Sequence, residues 1–225
     1  MTVARSPWLL RKPRARPAQL RVFCFSHAGA GASSYAAWGR EAPADVDWVA
    51  LQFPGRENRF NEPCFRNLGE LVEALLRELE AELKDVPYAL FGHSMGALIA
   101  FETARAIANR QMAAPPVALF VSGRPAPDAA QRMPPYHLLP DDALLAALAP
   151  IAGPMRSFAA DPSLILGVLP VIRADLALVD DYRYVAGPLL TSPLWVFGAK
   201  DDPLTPVRTL ESWSAMTRAD CEFRL

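Results

Sequence analysis

Uninterrupted apolar runs alternate with amphipathic stretches along most of the chain. Five short runs are predicted as buried strands, because each is rich in β-branched and aromatic residues and is bounded by turn residues. These runs are QLRVFCF, VDWVALQF, YALFGH, VALFVSG and PLWVFG. Strands that are apolar on both faces and alternate with helices are typical of an α/β fold with a mainly parallel sheet covered on both sides.

Two segments between these strands have helical periodicity. Residues 67–84 place leucine and valine side chains at helical spacing opposite a charged face, which predicts an amphipathic helix lying on the sheet. MGALIAFETARAIANR directly follows the YALFGH strand and is predicted as the next helix. The chain thus indicates repeated strand–helix units.

A long insertion separates the last two of these strands. The segment from about Pro125 to Gly187 has no strand of its own, and PDDALLAALAP and DPSLILGVLPVIRADLALVDDY are predicted as helices within it. We expect these helices to be interrupted by Pro140, Pro150, Pro162 and Pro170. An insertion of this size in a compact domain is more often a functional cover than a passive loop.

Length and charge limit the class of protein. The chain of 225 residues is 52% hydrophobic and 21% charged, which predicts one globular domain spanning residues 1–225. A formal net charge of -1 gives no electrostatic case for nucleic acid or membrane partners.

The cysteines and the first residues bear on location and partners. Cys24, Cys64 and Cys221 are odd in number and lack C-x-x-C spacing, which favours a reducing compartment over a disulfide framework or a zinc site. Neither a secretory signal nor a transmembrane run of about 20 apolar residues is visible. We therefore expect a cytoplasmic protein. Residues 1–21 carry six basic residues and no carboxylate, so we expect a solvated, mobile arm or one that contacts an acidic partner.

A nucleophile motif follows the YALF strand. Gly92, Ser94 and Gly96 form a G-x-S-x-G frame between a predicted strand and a predicted helix, which is the context of a nucleophile elbow. The glycines are required because the sharp turn strains the serine backbone and leaves no room for side chains at their positions. The turn also puts Ser94 at the positive end of a helix, where an oxyanion is stabilised. The alternative is a tight turn with an idle serine.

The glycine-rich loop HAGAG after the first strand is the second component of the predicted site. Acyl transfer needs two donors aimed at the developing oxyanion. One is expected from the residue after the nucleophile, Met95, and the other from Ala28 in this loop. His27 is then expected to orient the loop through local hydrogen bonds. A flexible turn without a role is the alternative.

A carboxylate is expected after a late strand, in the chain order serine, acid, histidine. GAKDDPLTP follows the PLWVF strand and offers Asp201 and Asp202. An aspartate here would hold the imidazole of the base in its working tautomer. We choose Asp201, three residues past Gly198, and leave Asp202 open. Helix capping before Pro206 is the alternative role for either side chain.

Seven segments occur in an order that is typical of one enzyme family. They are RVFCFSHAGAGASSYAAW, LQFPGRENRFNEP, LFGHSMGALIAFE, SGRPAP, PYHLLPDDALLAAL, LPVIRADLALVDDYRY and PLWVFGAKDDPLTP. Through these segments the chain resembles the type II thioesterases, the separate editing enzymes of polyketide and nonribosomal peptide assembly lines. The resemblance extends from about Trp8 to Leu225. The PGRE turn and the RADLALVDDYRY segment make the match specific, since G-x-S-x-G alone indicates only a serine hydrolase.

The resemblance implies an α/β-hydrolase fold, a site and a substrate. Ser94 would be the nucleophile, Asp201 the acid, and Ala28 and Met95 the oxyanion donors; His93, beside Ser94, would support the elbow. Residues 125–187 would be a lid. The implied reaction hydrolyses acyl groups from the phosphopantetheine arm of an acyl or peptidyl carrier protein and so clears stalled or mis-primed carriers. That arm belongs to the partner, so no cofactor or metal of the hydrolase is expected.

Two features depart from the family pattern. Ser26 and Ala30 stand where the family has proline and glycine, and Ala30 is expected to matter modestly if its backbone needs a positive φ. The larger departure concerns the base, which the family places in a loop after the last strand. His27 and His93 belong to the oxyanion loop and the elbow, and His137 is expected to be structural.

The end of the printed sequence suggests where the base lies. CEFRL is predicted as the first half of a strand, and a doubly wound sheet without its last helix would expose apolar surface and a bare edge. We therefore expect the natural protein to continue through a strand end, a histidine loop and a helix. A natural pseudo-enzyme that ends at Leu225 is the alternative.

Two other functions stay open at this point. The same chemistry would serve a general carboxylesterase or acyltransferase. A protein of a different class, a non-catalytic binder of carrier proteins, would use the basic arm as its surface. Carrier proteins are generally acidic, so deletion of residues 2–16 is expected to weaken carrier binding and its salt dependence.

Overall fold

Seven strands among the described residues form one mainly parallel sheet. The computed structural model describes residues 6–14, 16–128, 135–149, 162–202 and 204–225, with only the backbone described for residues 162–166. The strands are Leu9–Arg11 (β1), Leu20–Phe25 (β2), Val46–Leu51 (β3), Tyr88–His93 (β4), Ala118–Ser122 (β5), Leu194–Phe197 (β6) and Cys221–Arg224 (β7). Their order is β1-β3-β2-β4-β5-β6-β7, with β1 antiparallel to β3 and every other pair parallel. The predicted sheet and its five apolar strands are confirmed.

Six α-helices in the described parts of the chain connect and cover the strands. They are Ala36–Glu41 (α1), Leu68–Leu79 (α2), Met95–Asn109 (α3), Asp141–Leu148 (α4), Pro162–Asp180 (α5) and Val207–Leu210 (α6). Helix α2 begins where Asn67 accepts the Glu70 amide in an N-cap hydrogen bond of 3.1 Å. Within the described ranges, no helix combines the length and the apolar character needed to cross a bilayer.

The alternation of side chains along the strands builds a core on each face of the sheet. Phe23, Phe25 and Leu90 point to one face, where α2, α3 and Trp213 bury them. Neighbouring residues of the same strands form a smaller core on the other face with Tyr35. Across β4, β5 and β6 this second face is aromatic and only half-buried. Its half-buried side chains are Phe91, Phe120, Trp195 and Phe197.

The strand order creates a crevice at the carboxyl edge of the sheet. Strand β2 lies between β3 and β4 in the sheet. The chain therefore leaves β2 towards β3 and leaves β4 towards β5, in opposite directions along the sheet. In open α/β sheets such a switch point is where ligands bind. Because Phe25 pairs with Gly92 in the register, the loop after β2 lies directly beside the turn after β4.

The amino-terminal arm is built into the fold from Ser6 onward. We predicted a solvated arm, and for Trp8 to Arg11 this was wrong. Trp8 is 7% exposed and Leu9 is 8% exposed, and β1 adds to the sheet by pairing with β3. Arg11 forms ion pairs with Asp47 and Glu82. Part of the positive charge of this segment is therefore paired with carboxylates of the same domain.

Removal of Trp8 is expected to destabilise the fold. Its ring packs against Phe65 at 6.0 Å between centroids, and the Arg59 guanidinium lies 4.3 Å from its ring centroid. Truncation of such a side chain costs about 3–5 kcal/mol. We expect Trp8→Ala to lower the free energy of unfolding by that amount in denaturant titration. Leu10→Ala, on the exposed side of the same strand, should cost less than about 1 kcal/mol; equal losses would contradict this account.

The predicted lid insertion contains the helices α4 and α5 in its described part. Its residues 129–134 and 150–161, including Pro150, lie outside the described residues. The expected break at Pro170 was wrong, because α5 runs through this residue. Proline removes one helix hydrogen bond, but the flanking side chains of Leu169, Val171 and Ile172 are buried and hold the helix on the protein. Pro140 instead caps α4, and Pro162 begins α5.

Candidate active site

Ser94 lies in a strained turn between β4 and α3. Its backbone has φ 54° and ψ −115°, a combination that non-glycine residues rarely adopt. Such strain persists only where the surrounding structure enforces it. Here the amide of Ser94 donates to the Ser122 carbonyl at 2.8 Å, and α3 starts at the next residue. The half-buried hydroxyl is therefore presented at the carboxyl edge of the sheet.

The two glycines of the motif have no room for a side chain. A Cβ atom on Gly92 would lie 2.1 Å from the Gly96 carbonyl oxygen. A Cβ atom on Gly96 would lie 1.9 Å from the Phe25 carbonyl oxygen. Both contacts are with backbone, so neither neighbour can move away without opening the turn. This is the close packing of strand and helix that the motif requires.

We expect Gly96→Ala to be severely destabilising, by more than about 3 kcal/mol, because the clash is with the backbone of β2. Gly167→Ala is a matched control, since no atom lies within 4 Å of the position of its Cβ. In the interior of α5 this change should stabilise by roughly 0.5–1 kcal/mol. Thermal unfolding of both variants checks the pair, and a Gly96→Ala protein with the parent melting temperature would contradict the steric argument.

The oxyanion loop, residues 26–31, lies beside Ser94. Gly29 has φ +77°, whereas Ala30 is not among the described residues with positive φ. Alanine at position 30 therefore carries no left-handed strain, and the expected penalty of this departure does not arise. The Ala30 amide donates to the His27 carbonyl at 3.1 Å, and the Ser26 hydroxyl donates to the Ala30 carbonyl at 3.1 Å. Ser26 thus fastens the loop from within.

The predicted oxyanion donors are the amides of Met95 and Ala28. Met95 is the first residue of α3, and the amides of a first helical turn have no partner within the helix. Ala28 precedes the left-handed Gly29 in the oxyanion loop. Among the described residues, neither of these two amides donates a hydrogen bond to another protein group. Both are therefore available to a ligand.

A buried ion pair connects the oxyanion loop to helix α5. Asp175 of α5 accepts the Gly29 amide at 2.8 Å and both terminal nitrogens of Arg56 at 2.7 and 2.8 Å. Arg56 also donates to the Ala30 carbonyl at 3.1 Å. The two side chains are 6% and 1% exposed, so the pair is shielded from water.

The three histidines lie in different surroundings. The rings of His27 and His93 pack edge to face, 5.8 Å apart, and Nδ1 of His93 lies 3.1 Å from the Ser122 hydroxyl. Partial burial lowers the pKa of both rings, with the adjacent His93 lowering that of His27 further. His137 is buried, with Nδ1 3.0 Å from Asp180 of α5. Within the described ranges, no hydrogen bond joins any of these rings to Ser94.

The two candidate acids differ in their surroundings. Asp201 is exposed, whereas Asp202 is half-buried. The Asp202 carboxylate accepts the amides of Leu204 and Thr205 at 2.9 and 3.3 Å and the Thr205 hydroxyl. Burial acts to raise the pKa of Asp202, but these hydrogen bonds and the nearby His93 outweigh it, and the net pKa is lowered. Asp202 is thus held ionised and oriented at the same edge as Ser94.

Sequence reasoning assigned no role to Arg56 and Asp175. Both lie in the segments that made the resemblance specific, but a resemblance does not say what a side chain contacts. One signal was available in the sequence. Asp175 follows Ile172 by three residues on the apolar face of the predicted lid helix, and a lone carboxylate there needs a buried partner.

The fold has the architecture of the α/β-hydrolases, and the strained turn at Ser94 lies where this architecture places its nucleophile elbow. Residues 20–225 match the model of the thioesterase domain family, and the chain belongs to this family. It is 36% identical over 213 residues to the gramicidin S biosynthesis protein GrsT of Aneurinibacillus migulanus, covering 95% of this chain and 82% of that protein. It is 34% identical to the thioesterase PikA5 of Streptomyces venezuelae, covering 93% and 74%.

Solved structures agree with this assignment. The type II thioesterase BorB from the borrelidin biosynthetic cluster superposes with a TM-score of 0.89 at 33% identity, covering 99% of this chain and 90% of that one. The thioesterase RedJ from the prodiginine pathway of Streptomyces coelicolor gives 0.86 at 34% identity, covering 97% and 82%. The expected family and the α/β-hydrolase fold are therefore confirmed.

Proposed function

We propose that this protein is a type II thioesterase that hydrolyses acyl groups from the phosphopantetheine arm of acyl or peptidyl carrier proteins. The observation that carries the proposal is the strained Ser94 beside two free amides, in a chain of the thioesterase family. The similarity to GrsT, PikA5, BorB and RedJ supports a role in the biosynthesis of polyketides or nonribosomal peptides, where the enzyme would edit stalled or mis-primed carriers.

In this mechanism Ser94 Oγ attacks the thioester carbonyl and transfers its proton to a general base. The negative charge that forms on the carbonyl oxygen is stabilised by the amides of Ala28 and Met95 and by the positive end of α3. The C–S bond then breaks, and the thiol of the carrier arm leaves with the proton. Water attacks the acyl-serine in the same way, which releases the carboxylic acid and restores Ser94.

For the acid we now favour Asp202 over Asp201. A carboxylate that orients an imidazole must itself be held in place and stay ionised. Asp202 meets both conditions through the Leu204 and Thr205 amides and the Thr205 hydroxyl, whereas Asp201 is exposed to solvent. The capping role of Asp202 and the catalytic role are compatible, because one carboxylate oxygen can take both amides.

We propose that the general base is a histidine, which takes the serine proton in mechanisms of this kind. Among the described residues, no histidine ring is hydrogen-bonded to Ser94. In the register of the sheet, Arg224 of β7 pairs with Phe197, Phe197 pairs with Ser122, and Ser122 pairs with His93. Strand β7 therefore ends at the level of the elbow. The carboxyl end of β7 thus lies at the same edge of the sheet as Ser94, where the base must act.

The proposed partner is a carrier protein, and phosphopantetheine is its group rather than a cofactor of the hydrolase. We place the reaction in the cytoplasm, in keeping with three free cysteines. The described arm residues Lys12, Arg14 and Arg16 lie at the opposite edge of the sheet from Ser94. Together with Arg40 they line a cavity of about 310 Å³. Deletion of residues 2–16 would also remove β1, so charge-neutralising substitutions at Lys12 and Arg16 test the arm more cleanly.

The deciding experiment compares substrates on the full-length protein. We expect kcat/KM for acyl groups on a carrier protein to exceed that for small oxoesters with the same acyl chain. A preference for oxoesters would favour the general carboxylesterase. Carrier binding without any hydrolysis, in a protein whose intact mass equals that of the printed sequence, would favour the non-catalytic binder.

A further inference from the structure

We propose that Arg56 and Asp175 form a positioning pair that holds the oxyanion loop in its catalytic conformation while lid helix α5 is seated on it. This inference rests on the proposed function. The two residues are 119 positions apart in the chain and meet only because the PGRE turn and α5 pack on the same loop. They touch neither Ser94 nor, in the proposed mechanism, the reacting atoms.

The pair holds the oxyanion loop at two consecutive residues. Asp175 accepts the Gly29 amide at 2.8 Å, and Arg56 donates to the Ala30 carbonyl at 3.1 Å. The Ala30 amide in turn donates to the His27 carbonyl. That carbonyl and the Ala28 amide belong to the same planar peptide unit, so fixing one sets the direction of the other. The pair thereby reaches the oxyanion donor through one intervening hydrogen bond.

The same loop residue is also covered by the apolar face of α5. Gly29 is left-handed, and a Cβ at this position would lie 3.0 Å from the Ile172 side chain. Ile172 and Asp175 are three residues apart and so project from the same face of the helix. The lid helix therefore contacts Gly29 by packing and by a hydrogen bond at once.

Burial makes this arrangement dependent on the lid. Arg56 and Asp175 are almost fully enclosed, and their two parallel hydrogen bonds have the geometry of a bidentate guanidinium–carboxylate pair. Movement of α5 away from the loop would leave the buried Arg56 guanidinium without its carboxylate and the Gly29 amide without its acceptor. The oxyanion hole is therefore complete only when α5 is in place, which couples the seating of this lid helix to catalysis.

The test replaces both charges together in the full-length protein. Arg56→Met combined with Asp175→Leu leaves no unpaired buried charge, so folding is expected to persist, while Gly29 and Ala30 lose their partners. We expect kcat for an acyl-carrier thioester to fall about 10²-fold with KM nearly unchanged. The matched control is Arg173→Met with Asp141→Leu, which removes another ion pair of α5 that does not touch the oxyanion loop. This control should keep the parent kcat.

A second readout does not depend on hydrolysis. Hydrogen exchange of the Gly29 amide is expected to be slow in the parent and at least about 10-fold faster in the Arg56/Asp175 double variant, but unchanged in the control. If the parent is active and the double variant matches it in both kcat and Gly29 exchange, the positioning role is overturned while the proposed function stands. If the parent hydrolyses no thioester, the function fails and Gly29 exchange alone decides the positioning role.

A milder substitution covers the case in which the double variant does not fold. Arg56→Lys keeps the charge but cannot donate to both oxygens of Asp175 and to Ala30 with the same geometry. We expect a decrease in kcat of about 10-fold with an unchanged KM. A variant with the parent kcat and the parent Gly29 exchange rate would overturn the proposal.

Discussion

Substitution of Ser94 by alanine is expected to lower kcat for acyl-carrier thioesters by about 10⁴- to 10⁶-fold in the full-length protein. The reason is that no other group can form the acyl-enzyme, so only binding and the two oxyanion amides continue to act. KM should change little, because the hydroxyl contributes little to binding of the carrier. Steady-state kinetics and the loss of acyl-enzyme in intact-mass measurements check this result.

Two further variants make this result interpretable. Ser214→Ala changes an exposed serine away from the elbow and should keep the parent kcat. Ser94→Gly should be as inactive as Ser94→Ala but more stable by roughly 1 kcal/mol, because glycine adopts φ 54° without strain. If Ser94→Ala retained substantial hydrolysis, the assignment of the nucleophile would be wrong.

Asp202→Asn is expected to lower kcat by about 10⁴-fold, while Asp201→Asn leaves it nearly unchanged. The amide keeps the shape of the carboxylate, but it neither stabilises an imidazolium nor selects the required tautomer. Asp201→Asn is the natural control, since the two residues are adjacent and only one is held by Leu204 and Thr205. The reverse pattern would restore Asp201, and loss of activity in neither variant would place the acid elsewhere.

The pH dependence of stability provides a check of Asp202 that is independent of catalysis. The pKa of this carboxyl is lower in the folded protein than its ordinary value of 3.8. Its ionised form therefore adds stability above the unfolded-state pKa, and this stability is lost as the pH falls through the lower folded-state pKa. In Asp202→Asn, that part of the decrease in melting temperature below about pH 4 should disappear.

Local signals were sufficient for the sheet and for the elbow. Apolar runs with β-branched and aromatic residues predicted β2 to β6, because a buried parallel strand needs apolar side chains on both faces. Gly92, Ser94 and Gly96 predicted the turn, because the three residues that form its motif fall within five consecutive positions. The loop after β2 was assigned to the same site because adjacent parallel strands end at one edge.

Local signals were misleading where distant packing decides the outcome. The charge of the first residues predicted a mobile arm, but Trp8 finds a site against Arg59 and Phe65, about fifty residues along the chain. Pro170 predicted a helix break, but burial of the side chains around it outweighs one lost hydrogen bond. In both cases the energy of tertiary packing exceeds the local preference.

The sequence by itself determined the family and predicted Ser94 as the nucleophile and the segment of the acid, because each signal lies in residues close together in the chain. Only the tertiary structure shows that the surroundings of Asp201 and Asp202 differ, because the Asp202 side chain turns inward and accepts the Thr205 hydroxyl. Only the tertiary structure brought Arg56 to Asp175, because a buried charge finds its partner through the packing of the lid on the oxyanion loop. No spacing along the chain encodes that contact.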